Sequence, residues 1–230
     1  MNYISAAFGW LANSAEWRGS TGIPTRLAQH LITTGIVVGL ALVISLPIGI
    51  LVGHTHRGAG VVGAVAGAAR AIPTLGLLTL FGLMWGIGLK APILALVILA
   101  IPSALAGAYA GIQAIDPAVS DAARAIGMSE LRIILQVEIP LGAPVIIGGI
   151  RAATLQVVAT ATLAAYIADN GLGRYLFHGL EAHNYAEMLG GAMLVIALAL
   201  ILEVVLAAIQ RWVKLRVTNP RSSRRQQLHI

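Results

Sequence analysis

Asp116-Pro-Ala-Val-Ser-Asp-Ala-Ala-Arg-Ala-Ile-Gly-Met-Ser-Glu-Leu-Arg-Ile-Ile-Leu-Gln-Val-Glu-Ile-Pro140 is a polar island in a chain that is otherwise nearly all apolar. Asp116 suits a helix N-cap, where a carboxylate accepts from the free N–H groups of the first turn. Pro117 suits the first helical position because its missing N–H would have had no partner there. Gly127 fits the left-handed residue that closes such a helix, and Ser129 can cap a second one running to about Ile139, before Pro140. The island, residues 116–140, therefore predicts two short helices around a glycine turn. On the first, Ala118, Ala122 and Ala125 share a side, and Asp121 and Arg124 place an acid toward the N-terminal half and a base toward the C-terminal half. A face of small residues lets a helix sit deep in a groove, and Gly127 turns the chain without obstructing that approach.

Outward from the island the sequence is membrane-grade. Of 230 residues 58% are hydrophobic and only 10% charged, and the mean hydropathy is +0.86, which excludes an ordinary soluble domain. Several apolar runs reach the roughly 20 residues that a helix needs to cross a bilayer core. The alternating segments of an outer-membrane barrel are absent, so helices are the spanning elements. The absence of cysteine excludes disulfides and thiolate chemistry. Much of the net charge of +6 lies after Gln210, where it speaks to orientation in a membrane before it speaks to nucleic acid.

Five spans are expected, six being the alternative. Residues 1–26 lack the pattern of a secretory signal and read as an interfacial segment with Trp10 and Trp17 as anchors. The transmembrane domain, residues 27–213, has spans at about 27–52, 61–89, 93–112, 141–167 and 186–209, and residues 214–230 form a basic tail. The second span is broken at Pro73, which removes a helical hydrogen bond and is tolerated only against protein or a water-lined cavity. The fourth carries Gly148, Gly149, Arg151, Thr154, Gln156, Thr160 and Thr162, a weakly hydrophobic helix suited to lining protein or water. With the tail inside, Arg57, Arg124, Arg132, Arg211, Lys214, Arg216, Arg221, Arg224 and Arg225 collect on the cytoplasmic side. Arg18, Arg26, Lys90 and Arg174 are left outside, with the N-terminus.

Other features carry plainer readings. His54-x-His56 is a poor metal site, having no nearby carboxylate or cysteine in sequence. Arg70, Arg151 and Glu203 fall within or at the ends of spans, where an ionisable group faces the bundle, water or a partner, or snorkels. Gly35/Gly39, Gly63/Gly67 and Gly107/Gly111 fit close helix packing. Trp10, Trp17, Trp85 and Trp212 lie near predicted interfaces and suit bilayer anchors better than a cation cage. No Ser/Lys, His/Asp or metal constellation of an enzyme appears in the spans, nor the paired repeats and mid-span acids of a secondary transporter or channel.

Asp121-Ala122-Ala123, three residues, Gly127, nine residues and Val137-Glu138-Ile139-Pro140 resemble the "EAA" loop of bacterial ABC importer permeases, Glu-Ala-Ala, Gly, then Ile-x-Leu-Pro, at the same spacings. Asp replaces Glu, Val replaces Ile and Ile replaces Leu, each keeping charge or apolar character. Ile72-Pro73-Thr74-Leu75-Gly76, Ile101-Pro102 and Ala164 to Gly173 resemble permeases for glycine betaine, choline and carnitine; methionine and other small-solute permeases share the five-span plan. The resemblance implies an all-α membrane protein with the ABC importer permease (MetI-like) fold in the bacterial cytoplasmic membrane. It implies that Asp121, Ala122, Ala123, Arg124, Gly127, Glu130 and Pro140 couple the chain to an ATPase subunit. The partners implied are ABC ATPase subunits, a second permease subunit, identical or similar, an extracytoplasmic solute-binding protein and the bilayer, with no nucleic acid. ATP would sit on the ATPase subunit, since this chain has no Gly-x-x-x-x-Gly-Lys-Ser/Thr loop. No cofactor, metal or catalytic residue is expected here; Pro73, Trp85, Arg151, Thr160 and Tyr166 are candidates for the solute pathway.

Overall fold

The structure, a computed structural model, describes residues 2–218, among which helices and their connections occur and no strand. The basic residues Arg221, Arg224 and Arg225 and the side chain of Arg70 lie outside what is described. A short helix α1 (Tyr3–Ala12) and a single 3-10 turn (Ser14–Trp17) precede α2 (Ile23–Thr55). With 33 residues, α2 is about 50 Å long, against about 30 Å of bilayer core. Pro24 stands in its first turn, and it ends at His56, whose φ of 54° is left-handed. Next come α3 (Ala59–Ala71) and α4 (Thr74–Trp85). They meet at an 81° bend, where Pro73 ends one run of hydrogen bonds and its extended backbone starts the next.

α5 (Lys90–Gln113) leads into α6 (Pro117–Ala125). Then α7 (Glu130–Ile133), a π-helical turn (Ile134–Glu138), α8 (Ile139–Thr160) and a 3-10 turn (Ala161–Tyr166) join without a gap. Together they make one rod of 37 residues, Glu130–Tyr166. α9 (Gly173–Glu181) and α10 (Tyr185–Thr218) complete the chain. Among the described residues four helices are long and apolar enough to cross a membrane, and five crossings result when α3 and α4 count as one bent span.

Hydrogen bonds at the helix ends fix the directions. His54 near the end of α2 meets Glu138 early in the rod, and Arg26 at the start of α2 meets Asp169 just beyond the rod. The rod therefore runs opposite to α2. Gln113 at the end of α5 donates to the Gly53 carbonyl at 3.1 Å, and Gln210 late in α10 donates to the Pro144 carbonyl at 2.9 Å, so α5 and α10 run with α2. The polar island and the Arg26–Asp169 region thus stand at opposite ends of the bundle.

α5 is the centre of the packing, with α2 on one side and α8 on the other. Val37 and Ala41 of α2, Leu96, Val97 and Ala100 of α5, Val157 of α8 and Ala161 just beyond it form a core. Lipid is as apolar as leucine, so close approach and hydrogen bonds between helices must hold such a bundle. Both are present. A β-carbon on Gly149 would lie 2.5 Å from the Gly107 Cα, and one on Gly142 would lie 2.6 Å from the Gly111 carbonyl oxygen. Ser103 donates to Gln156 at 2.7 Å, while Gln156 donates to the Leu99 carbonyl at 2.9 Å.

Several expectations need correction. The second helix of the island does not stop at Ile139 but continues through Pro140 into the span. The π-helical turn directly before Pro140 widens the backbone, so a residue without N–H is accommodated where a regular bond would have been lost. Of the small-residue pairs, Gly107/Gly111 packs against α8, whereas β-carbons on Gly35, Gly39, Gly63 and Gly67 would meet nothing among the described residues. Trp10 is no free anchor: its ring lies 5.0 Å from that of Tyr175, edge to face, and presses on Gly190, so α1 docks on α10.

Gly149→Val tests the α5–α8 contact. It should cost about 1–3 kcal/mol through overpacking, read as a lower melting temperature of the detergent-solubilised protein, while Gly35→Val should leave that temperature unchanged.

Candidate functional site

The island folds locally for the reasons its sequence suggests. The Asp116 side chain accepts from the Ala118 N–H at 2.9 Å and Pro117 opens α6. Gly127, at φ +84°, closes it. The Met128 N–H reaches back to the Ala123 carbonyl at 3.1 Å and the Gly127 N–H to that of Arg124 at 2.9 Å, the paired bonds of a Schellman motif. Ser129 differs from expectation: it has the extended backbone of a cap, but its hydroxyl makes no capping bond.

α6 is two-faced. Ser120 and Ala123 point into the chain, while Ala118, Val119, Ala122 and Ala125 are exposed. Ile126 at its end is 80% exposed, and Leu131 and Leu135 on the neighbouring helix are exposed as well. α6 and the turn after it thus leave small and apolar side chains uncovered in a polar loop. Of the predicted coupling residues, Asp121, Ala122 and Arg124 lie on this outer side, Ala123 on the inner one, Glu130 opens α7, and Pro140 is exposed on α8.

Behind α6 runs a chain of charged and polar groups that sequence reading missed. Arg124 bonds Asp121 at 2.9 Å and both oxygens of Glu130, at 2.9 and 3.1 Å. Hydrogen bonding to Glu130, assisted by Asp121, raises the Arg124 pKa above its ordinary value. His54 reaches Glu130 with Nε2 at 3.2 Å and Glu138 with Nδ1 at 2.8 Å. Ser120 donates to the other Glu138 oxygen at 3.0 Å. A signal was available: Glu138 is an acid inside an apolar run, and His54 closes a span. Only the fold shows that they meet, 84 residues apart in sequence.

The opposite end is polar in another way. Arg26, buried, bonds Gln29, the Asp169 carbonyl and the Asp169 carboxylate, the last at 2.8 Å, and Arg174 approaches the same carboxylate at 3.4 Å. Tyr175 donates to the Thr21 carbonyl at 2.7 Å, and burial pushes its hydroxyl up to about 12. A cavity of 390 Å³ opens here between the end of α4 and the end of the rod, lined by Gly82, Leu83, Tyr166, Asp169 and Arg174 among others.

The pathway candidates do not gather in one place. Tyr166 lines that cavity, and Trp85 sits at the end of α4 with its ring 5.0 Å from Phe81. Pro73 makes the bend between α3 and α4. The Thr160 hydroxyl bonds its own helix at the Gln156 carbonyl. Arg151 is held on the far side of the rod by Glu203 of α10, with Nε to Oε2 at 2.7 Å and a second contact from Nη2, and it also donates to Gln210 at 2.9 Å.

Comparison with known proteins gives this geometry a family context. The sequence profile of the family described as "Binding-protein-dependent transport system inner membrane component" matches residues 45–219. Among curated relatives, the choline transport system permease protein OpuBB of Bacillus subtilis is 32% identical over 80% of this chain and 84% of its own. The glycine betaine/carnitine/choline transport system permease protein OpuCB of the same organism is 34% identical over 81% and 86%. The carnitine transport permease protein OpuCB of Listeria monocytogenes is 34% identical over 79% and 84%. Among solved structures, a chain of the inward-facing MetNI methionine ABC transporter superposes with a TM-score of 0.72 at 22% identity, over 83% of this chain and 95% of that one; at that identity the likeness concerns the fold.

Asp116→Ala removes the cap of α6 and should destabilise that helix by about 1 kcal/mol. Hydrogen exchange of the Ala118 and Val119 amides should accelerate while exchange within α5 stays unchanged.

Proposed function

The chain belongs to the family of binding-protein-dependent transport system inner membrane components, multi-pass permease subunits of ABC importers, and from that premise we propose that it passes a small osmoprotectant of the glycine betaine, choline, carnitine or proline-like class. The solute is delivered by a binding protein on the outer side. Energy comes from a separate ATPase subunit that docks on α6, and a second permease subunit, identical or similar, completes the path. The observation that carries the coupling is the outer face of α6: capped at both ends, small along its length, apolar at Ile126, and backed by charged groups that hold it in place. The names of the relatives support the solute class.

Orientation follows from the distribution of basic residues. Arg57, Arg124, Arg132, Arg211, Lys214 and Arg216 stand at the α6 end, which is assigned to the cytoplasm. At the other end Arg26 and Arg174 share Asp169, which leaves less positive charge to oppose that assignment. The N-terminus is then outside and the C-terminus cytoplasmic. Closure of the ATPase pair on ATP would displace the two docked α6 helices, and the bundle would rock between inward- and outward-facing states. On that orientation the cavity lined by Tyr166 would open to the outer side, where solute would enter.

Two measurements test this. Uptake of labelled glycine betaine, choline, carnitine and methionine, by cells expressing the chain with its ATPase and binding protein, should be seen for the quaternary ammonium compounds; uptake of methionine alone would overturn the solute class. Gly127→Trp forces a side chain into a left-handed backbone, at a cost on the order of 1 kcal/mol, and projects it into open space on the docking side. It should abolish uptake and release the ATPase with membrane insertion intact, and undiminished uptake would overturn docking at α6.

A further inference from the structure

A docked helix moves a bundle only through a stiff joint, and the covalent route from α6 to the rod passes through the glycine turn at Gly127. We infer that Glu138 is the positioning residue that makes the joint. The inference rests on the docking of an ATPase at α6.

The Glu138 side chain is 5% exposed, and a buried carboxylate is costly unless its oxygens are bonded. Both are. Oε1 accepts from Ser120 Oγ at 3.0 Å and Oε2 from His54 Nδ1 at 2.8 Å. The two partners come from different elements: Ser120 from the inner face of α6, His54 from the last turn of α2. Glu138 itself closes the π-helical turn of the rod. One carboxylate thus pins three helices at one point.

The position of that point matters. The π-helical turn, Pro140 and, one turn on, Pro144 interrupt the regular hydrogen bonding of the rod in this stretch, so this is where the rod bends most easily. α6 is fastened to that bend. A second route, Arg124 to Glu130 to His54, runs in parallel. Its Arg124 and Glu130 ends are exposed, and exposed ion pairs are weakened by water and salt. Displacement of α6 is therefore passed to the end of α2 and to the bend in the rod together, instead of being absorbed by rotation about Gly127.

The test uses the complete transporter, purified with its ATPase subunits and binding protein and reconstituted in liposomes. Solute uptake per ATP hydrolysed and the amount of retained ATPase are measured for the wild type, Ser120→Ala, Glu138→Leu and Glu138→Gln. Ser120→Ala and Glu138→Leu should keep the ATPase and its hydrolysis but lose uptake per ATP by roughly tenfold. Glu138→Gln, whose amide can still bond both partners, should keep most of it. Undiminished uptake per ATP with the ATPase retained overturns the role of Glu138 and leaves docking at α6 standing. Loss of the ATPase from Ser120→Ala also overturns it, because the buried bonds would then shape the docking surface and not transmit from it. Ser120→Ala decides the matter if Glu138→Leu fails to fold. A wild type that retains no ATPase removes the docking reading and this inference with it.

Discussion

The constraint on which the rest of this structure depends is the distance at which α5 can lie against α8. Bilayer interior offers no hydrophobic gain for bringing one apolar helix to another, so contact must come from fit and from hydrogen bonds that lipid cannot supply. Gly107 and Gly149 face each other with no side chain between, Gly111 meets Gly142 one turn on, and Ser103 reaches Gln156 across the same seam. Gly49 and Gly53 repeat the arrangement toward α5 from the α2 side, against Ala108 and Ile112. With α5 clamped on both flanks, the bundle has a rigid middle, and both polar ends are positioned by it.

Those ends are built differently. At the α6 end, carboxylates, a histidine and an arginine alternate so that helices from distant parts of the sequence are tied together, while Ala118, Val119, Ala122 and Ala125 of α6 stay exposed. At the other end, Arg26 and Arg174 converge on Asp169 beside a cavity. The proposed permease, driven at one end and loaded at the other, would use this asymmetry: a pinned contact at α6 and, at the opposite end, a mostly apolar cavity edged by Asp169 and Arg174. Arg151 and Glu203 belong to neither end. Their pairing joins α8 to α10 within the spans and satisfies two charges that lipid would otherwise face.

Much of this was legible in the sequence, and the reasons are local. The spans follow from hydropathy and length, the cap at Asp116 and the turn at Gly127 from the chemistry of single residues, and the family from spacing within the island. What was misjudged involved neighbours that sequence order hides. Pro140 looks like a helix end until a π-helical turn is seen to absorb it. Gly35 and Gly107 look alike, yet among the described residues one meets nothing and the other meets a glycine. Trp10 looks like an anchor and is packed on Tyr175. His54 was weighed as half of a metal pair with His56, when its partners are Glu130 and Glu138.

The sequence by itself determined that the chain is a helical membrane protein of about five apolar spans and that the loop at 116–140 is capped at Asp116 and turned at Gly127, because hydropathy, capping and backbone permission act within a few residues. Only the tertiary structure decided which face of α6 is outward, that the island's second helix and the fourth span are one rod, and that Glu138 joins α6, α2 and that rod. Those facts depend on bonds between residues far apart in the chain, and a buried carboxylate reveals its partners only once the helices that carry them are in place.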